Sequence, residues 1–205
     1  SGPSGSFQVT TGSSGNFTFT DLKQGTYTLT RSNPPAWISS AALPGTVGAT
    51  VVSADEISVV VAPDDTSSNN RFLSYVPSTI SGTVYDELVI DGVVGAGEGP
   101  LAGAIITLTA PGFSEQVTTT GDGTYEFDDL EADTYVVNII PPANHGAGSA
   151  VAGTIGAVVD AEDQITVILP QSSDSEDNNF FTYEQASISG VIYEDGGADG
   201  VEEAS

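Results

Sequence analysis

Gly121-Asp122-Gly123-Thr124-Tyr125-Glu126-Phe127-Asp128-Asp129-Leu130-Glu131-Ala132-Asp133-Thr134-Tyr135-Val136-Val137 reads as short strands separated by turns. Tyr125 and Phe127 flank Glu126, and Thr134-Tyr135-Val136-Val137 continues the alternation. A period of two places neighbouring side chains on opposite faces of a strand, one face apolar and one polar. Gly121-Asp122-Gly123 lies between two strand runs and predicts a hairpin, because Gly accepts positive φ at little cost. Phe17, Phe19, Leu22, Thr26 and Tyr27 repeat Tyr125, Phe127, Leu130, Thr134 and Tyr135 at an offset of 108.

The same offset of 108 runs along the chain. Ile80-Ser81-Gly82-Thr83-Val84-Tyr85 returns as Ile188-Ser189-Gly190-Val191-Ile192-Tyr193, Asn70 to Tyr75 as Asn178 to Tyr183, and Gly45-Thr46-Val47-Gly48 as Gly153-Thr154-Ile155-Gly156. The expected organisation is an incomplete repeat at 1–77, a complete repeat at 78–185, and the first strand and loop of a following repeat at 186–205. Within 78–185 the β-branched and aromatic runs fall at 79–85, 103–109, 114–119, 124–128, 134–140, 154–159, 164–169 and 179–184. No segment holds a helical period. The fold class is therefore all-β, with tandem sandwich modules.

The 205 residues carry three Lys+Arg against 28 Asp+Glu, a formal net charge of −25. Residues 78–185 hold 18 of the acids and no Lys or Arg, whereas 1–77 carry five acids and three bases. Binding to nucleic-acid phosphates or to anionic lipid has no cation density behind it. No apolar run approaches the ~18 residues of a membrane-spanning helix, so this segment inserts in no membrane. The chain has no Cys and one His, which removes disulfides, thiolate metal sites and Cys nucleophiles and weakens any triad. Two readings of the charge stand: an acidic surface that stays soluble in salt, and carboxylates that bind hard cations.

Gly123 to Tyr135 followed by Pro141-Pro142-Ala143, and Gly15 to Tyr27 followed by Pro34-Pro35-Ala36, resemble the G-x-Y-x-F-x-x-L-x-x-G-x-Y…P-P-A pattern of B-type repeats in surface adhesins. The serine–aspartate-repeat (Sdr) B-type domains are nearest, and collagen-adhesin B-type domains a step further. The resemblance implies a transthyretin-like (prealbumin-like, Ig-like) sandwich outside the cell. Sdr-type modules carry an EF-hand-like Ca²⁺ loop after a V-Y dipeptide, and Val84-Tyr85 precedes such a stretch here. The resemblance places Glu87 first in that loop, Asp91 fifth, Gly92 at the turn, the Val93 carbonyl seventh and Glu98 last. Val89 and Gly95 depart from the pattern. In the next repeat Asp195, Asp199, Val201 and Glu203 take corresponding positions.

Several other residues have plain readings. Asp122 reads as a turn residue, since its counterpart is Ser14, and Ser173-Asp174-Ser175-Glu176-Asp177 as a solvated loop. His145 aligns with Trp37, and both read as loop residues over one end of a sandwich. Trp37 as a sugar-stacking platform is the competing view. A Lys–Asn isopeptide bond, frequent in collagen-adhesin domains, needs a Lys that 78–185 lacks. Carboxylate pairs, the residue types of a glycosidase, are abundant, but no cleft-forming insertion, nucleophile elbow or second catalytic group points to an enzyme. The expected function is an extracellular stalk or fibre-building module stiffened by Ca²⁺. Its expected partners are neighbouring repeats or further copies, head to tail, by strand complementation. The alternative is a carbohydrate- or protein-ligand-binding module.

Overall fold

The computed structural model describes residues 1–192, and within them the chain is all-β. Strands β6 (Ser78–Asp86), β7 (Gly99–Pro100), β8 (Ile105–Ala110), β9 (Phe113–Thr118), β10 (Thr124–Leu130), β11 (Asp133–Ile140), β12 (His145–Val151), β13 (Ala157–Ala161), β14 (Gln164–Leu169) and β15 (Asn179–Glu184) form a sandwich. One sheet has the order β10-β6-β15-β12, with β7 on β6; the other runs β13-β14-β11-β8-β9. β15 lies parallel to β6, and the remaining pairs are antiparallel.

Alternation makes the core. On β6, Ser78, Ile80, Gly82 and Val84 are buried while the residues between them are half-exposed. Ile106 and Leu108, Tyr125 and Phe127, Val137 and Ile139, Ile165 and Val167, and Phe180 join them between the sheets. Each such apolar side chain contributes roughly 1.5–3 kcal/mol on burial. Tyr125 donates its hydroxyl to the Asn178 carbonyl inside this core, and burial pushes its phenol well above the ordinary tyrosine range.

Strands β1 (Gly25–Thr30), β2 (Ile38–Leu43), β3 (Ala49–Ser53), β4 (Glu56–Val61) and β5 (Arg71–Tyr75) precede the sandwich. They form a three-stranded sheet β1-β4-β3 and a pair β2-β5. Their registers match later ones at an offset of 108: Thr26↔Val60 with Thr134↔Ile168, Ala49↔Val59 with Ala157↔Val167, and Ile38↔Tyr75 with Gly146↔Tyr183. The bulge at Ser39/Ala41 matches that at Ala147/Ser149. Among the described residues, the eight non-glycine residues with positive φ form four pairs at the same spacing of 108, Asp21/Asp129, Ala36/Asn144, Asp64/Ser172 and Asn69/Asp177. Only Ala42, Ile57 and Val59 form the buried cluster of this earlier part. Phe17 and Phe19, at the positions of the buried Tyr125 and Phe127, stay half-exposed.

Five readings of the sequence differ from the structure. His145 is not a loop residue: it opens β12, a strand of His, Gly, Ala and Ser that lacks β-branched residues except its last, Val151. The run at 154–159 is partly turn, and its strand begins at Ala157. Gly121-Asp122-Gly123 does not close a hairpin, because β9 and β10 belong to different sheets and the turn crosses between them. The Ser173–Asp177 loop is not simply solvated: Ser175 is buried, bridges to Ile80, and exchanges backbone bonds with Thr79 and Ser81. Residues 186–192 form no strand, and Ile188 and Ile192 are fully exposed.

A buried amide ties the sandwich together. Asn178 Oδ1 accepts from the Gly153 N–H at 3.1 Å, and its Nδ2 donates to the Ser81 and Ser175 carbonyls at 3.2 and 2.9 Å. Gly153 is required there, since a Cβ would lie 2.3 Å from the Glu176 carbonyl oxygen. Asn70 holds Gly45 in the same way at 2.9 Å. Asn178→Ala leaves several buried groups unpaired and is expected to cost about 3 kcal/mol in denaturant unfolding. Asn70→Ala, at a half-buried site, is expected to cost less.

Candidate functional site

The sequence-predicted Ca²⁺ loop leaves β6 at Asp86 and returns at β7. Glu87 is 3% exposed, and its N–H donates to the Thr182 carbonyl at 2.7 Å. Its Oε1 accepts from the Asp91 and Gly92 amides at 3.1 and 2.6 Å, while Oε2 is buried without a partner. Gly92 makes the predicted turn with φ 74°. Asp91 Oδ1 accepts from the Val93 amide at 2.9 Å. Glu98 Oε1 accepts from Leu88 and Val89 at 2.9 and 3.0 Å, and its Oε2 from Gly95. The acids thus organise the loop by capping its own N–H groups. Leu88, Val89, Ile90, Val93 and Val94 are left facing solvent, a grouped apolar surface at the sandwich end.

The amides of Gly95, Val89 and Leu88 hold the Glu98 carboxyl below its ordinary range. A lowered folded-state pKa contributes stability above the unfolded value and loses it as pH falls through the folded one. Loop order is therefore expected to persist at neutral pH and to fail in acid. Glu98→Gln should speed amide exchange at Leu88, Val89 and Gly95 at pH 7 without altering exchange in β14.

The residue types Glu87, Asp91 and Glu98 suit a hard cation, but their oxygens do not meet. Among the described residues, the grouping of three ligand-type side chains with donor atoms within 4.8 Å of one another is Asp86, His145 and Glu184. The Ca²⁺ ligand set of the loop is not assembled in this geometry. One feature favours it, the orphaned buried Oε2 of Glu87. Asp195, Asp199, Val201 and Glu203 lie outside the described residues.

Asp122 behaves as a turn residue, its Oδ1 accepting from Thr120 Oγ1, Thr124 Oγ1 and Thr124 N. Those hydroxyls and that amide hold its carboxyl low. Trp37 immediately precedes β2 and is half-exposed. Lys23 is exposed, its carbonyl accepting from the Tyr27 hydroxyl at 2.8 Å, as Glu131 accepts from Tyr135 at 3.1 Å. The grouping of Asp86, His145 and Glu184 was not legible beforehand, because the pairing of β6 with β15 that assembles it leaves no local sequence signal.

No family model matches the chain, and no curated protein matches it. Among solved structures it is similar to the minor pilin of the Gram-positive pathogen Streptococcus agalactiae, at 12% identity and a TM-score of 0.40 over 58% of this chain and 49% of that one. The TIE protein of Bacillus anthracis is similar at 12% identity and TM-score 0.38, over 80% of this chain and 35% of that one. The shaft pilin SpaA of Lactobacillus rhamnosus GG gives 13% identity and TM-score 0.32, over 54% and 51%. The chain thus spans about half the length of the two pilins and about a third of the TIE protein.

Proposed function

We propose that the chain is a structural segment of an extracellular surface stalk or fibre, of Sdr B-type character, in which one sandwich frame recurs every 108 residues. The observation that carries this reading is the recurrence of registers, bulges and positive-φ positions between β1–β5 and β11–β15. Serial frames of this kind build length, and function as spacers. The link suits a rod. Val76-Pro77 alone separate β5 from β6, with Pro fixing φ, and the Tyr75 hydroxyl reaches across to the Asp129 carbonyl at 3.2 Å.

The partner in this reading is another copy. β15 is hydrogen-bonded on one side to β12 and on the other to β6. β5, its counterpart, pairs with β2 and has no second neighbour among the described residues. Residues 186–192 repeat the sequence of 78–84 and lie unpaired, with Ile188 and Ile192 exposed where Ile80 and Val84 are buried. Addition of that segment to β5 of another copy, in the register Phe180↔Val84 shows for β15 and β6, brings Phe72 opposite Ile192. The contact is head-to-tail and does not close on itself. In sedimentation, residues 1–205 are expected to associate with rising concentration and residues 1–185 to stay monomeric; monomers in both cases would overturn the strand-addition reading.

Ca²⁺ belongs to the proposal through the residue types of Glu87, Asp91 and Glu98. A cation has to compete with amides for these oxygens, so weak binding is expected, in or beyond the range of about 10⁻⁴–10⁻³ M of extracellular modules. Saturating Ca²⁺ should raise the melting temperature, and Glu98→Gln should remove the increase. A melt identical with Ca²⁺ and with chelator would take the metal out of the reading.

A second reading has one observation in its favour. A hollow between the two parts of the chain is lined by Tyr75, Phe113 and Tyr135 with Asp128, Asp129 and Glu131. Aromatic faces beside carboxylates suit a sugar or a peptide, and saturable shifts of these rings on adding an oligosaccharide would favour ligand binding over spacing.

A further inference from the structure

Outside the predicted loop, three strand ends bring together side chains far apart in sequence. Asp86 closes β6 and stands opposite Thr182 of the parallel β15. Glu184 lies two residues further along β15, on the same face as Thr182, and is paired with His145 at the start of β12. His145 Nε2 lies 3.6 Å from Asp86 Oδ1, with the imidazole 14% exposed. Asp86 Oδ1 is shielded from water and accepts no hydrogen bond. The other ring nitrogen, His145 Nδ1, lies 3.2 Å from the Ala143 carbonyl. A carbonyl only accepts, so Nδ1 carries the proton, and in the neutral ring Nε2 turns its lone pair toward the carboxylates. An imidazole anchored through one nitrogen to a backbone carbonyl, with the other free, is the arrangement of a metal-ligating His. With the ring neutral, two lone pairs facing each other in a shielded place call for a positive centre between them, and residues 78–185 contain no Lys or Arg to supply it, which leaves a second proton on the imidazole or a cation from solution.

We propose that Asp86, His145 and Glu184 bind a divalent transition-metal ion, with Zn²⁺ as its representative. One imidazole nitrogen and two carboxylates form a mixed N/O set that suits Zn²⁺ and its neighbours, whereas Ca²⁺ takes oxygen ligands throughout. Zn–N and Zn–O bonds of about 2.0–2.2 Å at a tetrahedral angle set N and O about 3.4 Å apart. The observed 3.6 Å between His145 Nε2 and Asp86 Oδ1 needs a closure of a few tenths of an ångström, and the exposed Glu184, whose ligand atom lies within 4.8 Å of the other two, has to turn inward. Water fills the remaining position. The ion clips the ends of β6, β15 and β12 together at the point where β6 leads into the Glu87–Glu98 loop. The site is separate from that loop, with which it shares no residue, and it does not depend on the fibre reading. In the earlier part of the chain Trp37 stands where His145 does and Val76 where Glu184 does, so that part has no counterpart.

The single His of the chain makes the test direct. Zn²⁺ is titrated into ¹⁵N-labelled residues 1–205 while the imidazole nitrogens are followed by NMR, with Ca²⁺ titrated in parallel. The expected result is saturation at one equivalent: Nε2 moves to a metal-bound shift, Nδ1 stays protonated, and Ca²⁺ moves neither. Asp86→Asn and Glu184→Gln should each weaken Zn²⁺ by at least about tenfold. His145→Ala should abolish the saturable step, with His145→Gln as a second variant should the first fail to fold. Glu98→Gln should leave the affinity for Zn²⁺ unchanged. A doubly protonated ring at pH 7 that Zn²⁺ does not displace would overturn the proposal in favour of a simple ion pair. Equal Zn²⁺ affinity in the wild type and the His145 variants would overturn it in favour of diffuse binding to the acidic surface.

Discussion

The sandwich depends on one strand being held on both edges. β6 hydrogen-bonds to β10 on one side and to β15 on the other, and so fixes Ile80 and Val84 between the sheets with no exposure to water. Around that pair collect Phe127 and Phe180 from the flanking strands and Ile106, Leu108 and Ile165 from the facing sheet. The arrangement without such a strand is visible in the same chain. Among the described residues β5 has no β6-like neighbour, the buried cluster beside it consists of Ala42, Ile57 and Val59, and Phe17 and Phe19 remain half-exposed. The pairing registers match at an offset of 108, and the smaller core goes with a β5 that is paired on one side among the described residues.

The acidic charge is a constraint of a different kind. With no Lys or Arg in residues 78–185, carboxylates have three routes to a positive partner: backbone N–H groups, the lone imidazole, and cations from solution. Glu98 and Asp91 take the first route and shape the loop by doing so, while Asp122 accepts chiefly from the Thr120 and Thr124 hydroxyls. Asp86 cannot, since its inner oxygen faces the imidazole alone. Arg31 shows the contrast in the nearly neutral earlier part. It pairs with Asp55 at 2.8 Å, bonds the Ser74 hydroxyl and the Leu73 carbonyl, and lies over the Phe72 ring, joining β5 to the opposite sheet.

Much of the fold was legible from period and recurrence. The runs at 164–169 and 179–184 coincide with β14 and β15, because Ile165, Val167 and Leu169 alternate cleanly and Phe180, Phe181 and Tyr183 are strong strand formers. β12 was invisible, since Gly146, Ala147, Gly148, Ser149 and Ala150 have little strand preference and become a strand through pairing with β15. The turn at Gly92 was legible from residue type, whereas the use of Glu87 and Glu98 as caps for amides was not, because the same residues would suit a cation. Asn70 and Asn178 were visible as a recurrence, and their role became plain when Gly45 and Gly153 were found beside them. The cluster of Asp86, His145 and Glu184 joins three strands through a parallel pairing, which leaves no local trace in a sequence.

The central claim is that β5 is an open place in a repeated frame, shaped for a strand like β6. It is tested most directly by amide hydrogen exchange on residues 1–185 with and without a synthetic peptide of residues 186–192. The peptide is expected to slow exchange along Arg71–Tyr75 and to order the rings of Phe17 and Phe72, while β14 is unaffected. Exchange in β5 that is indifferent to saturating peptide would contradict it.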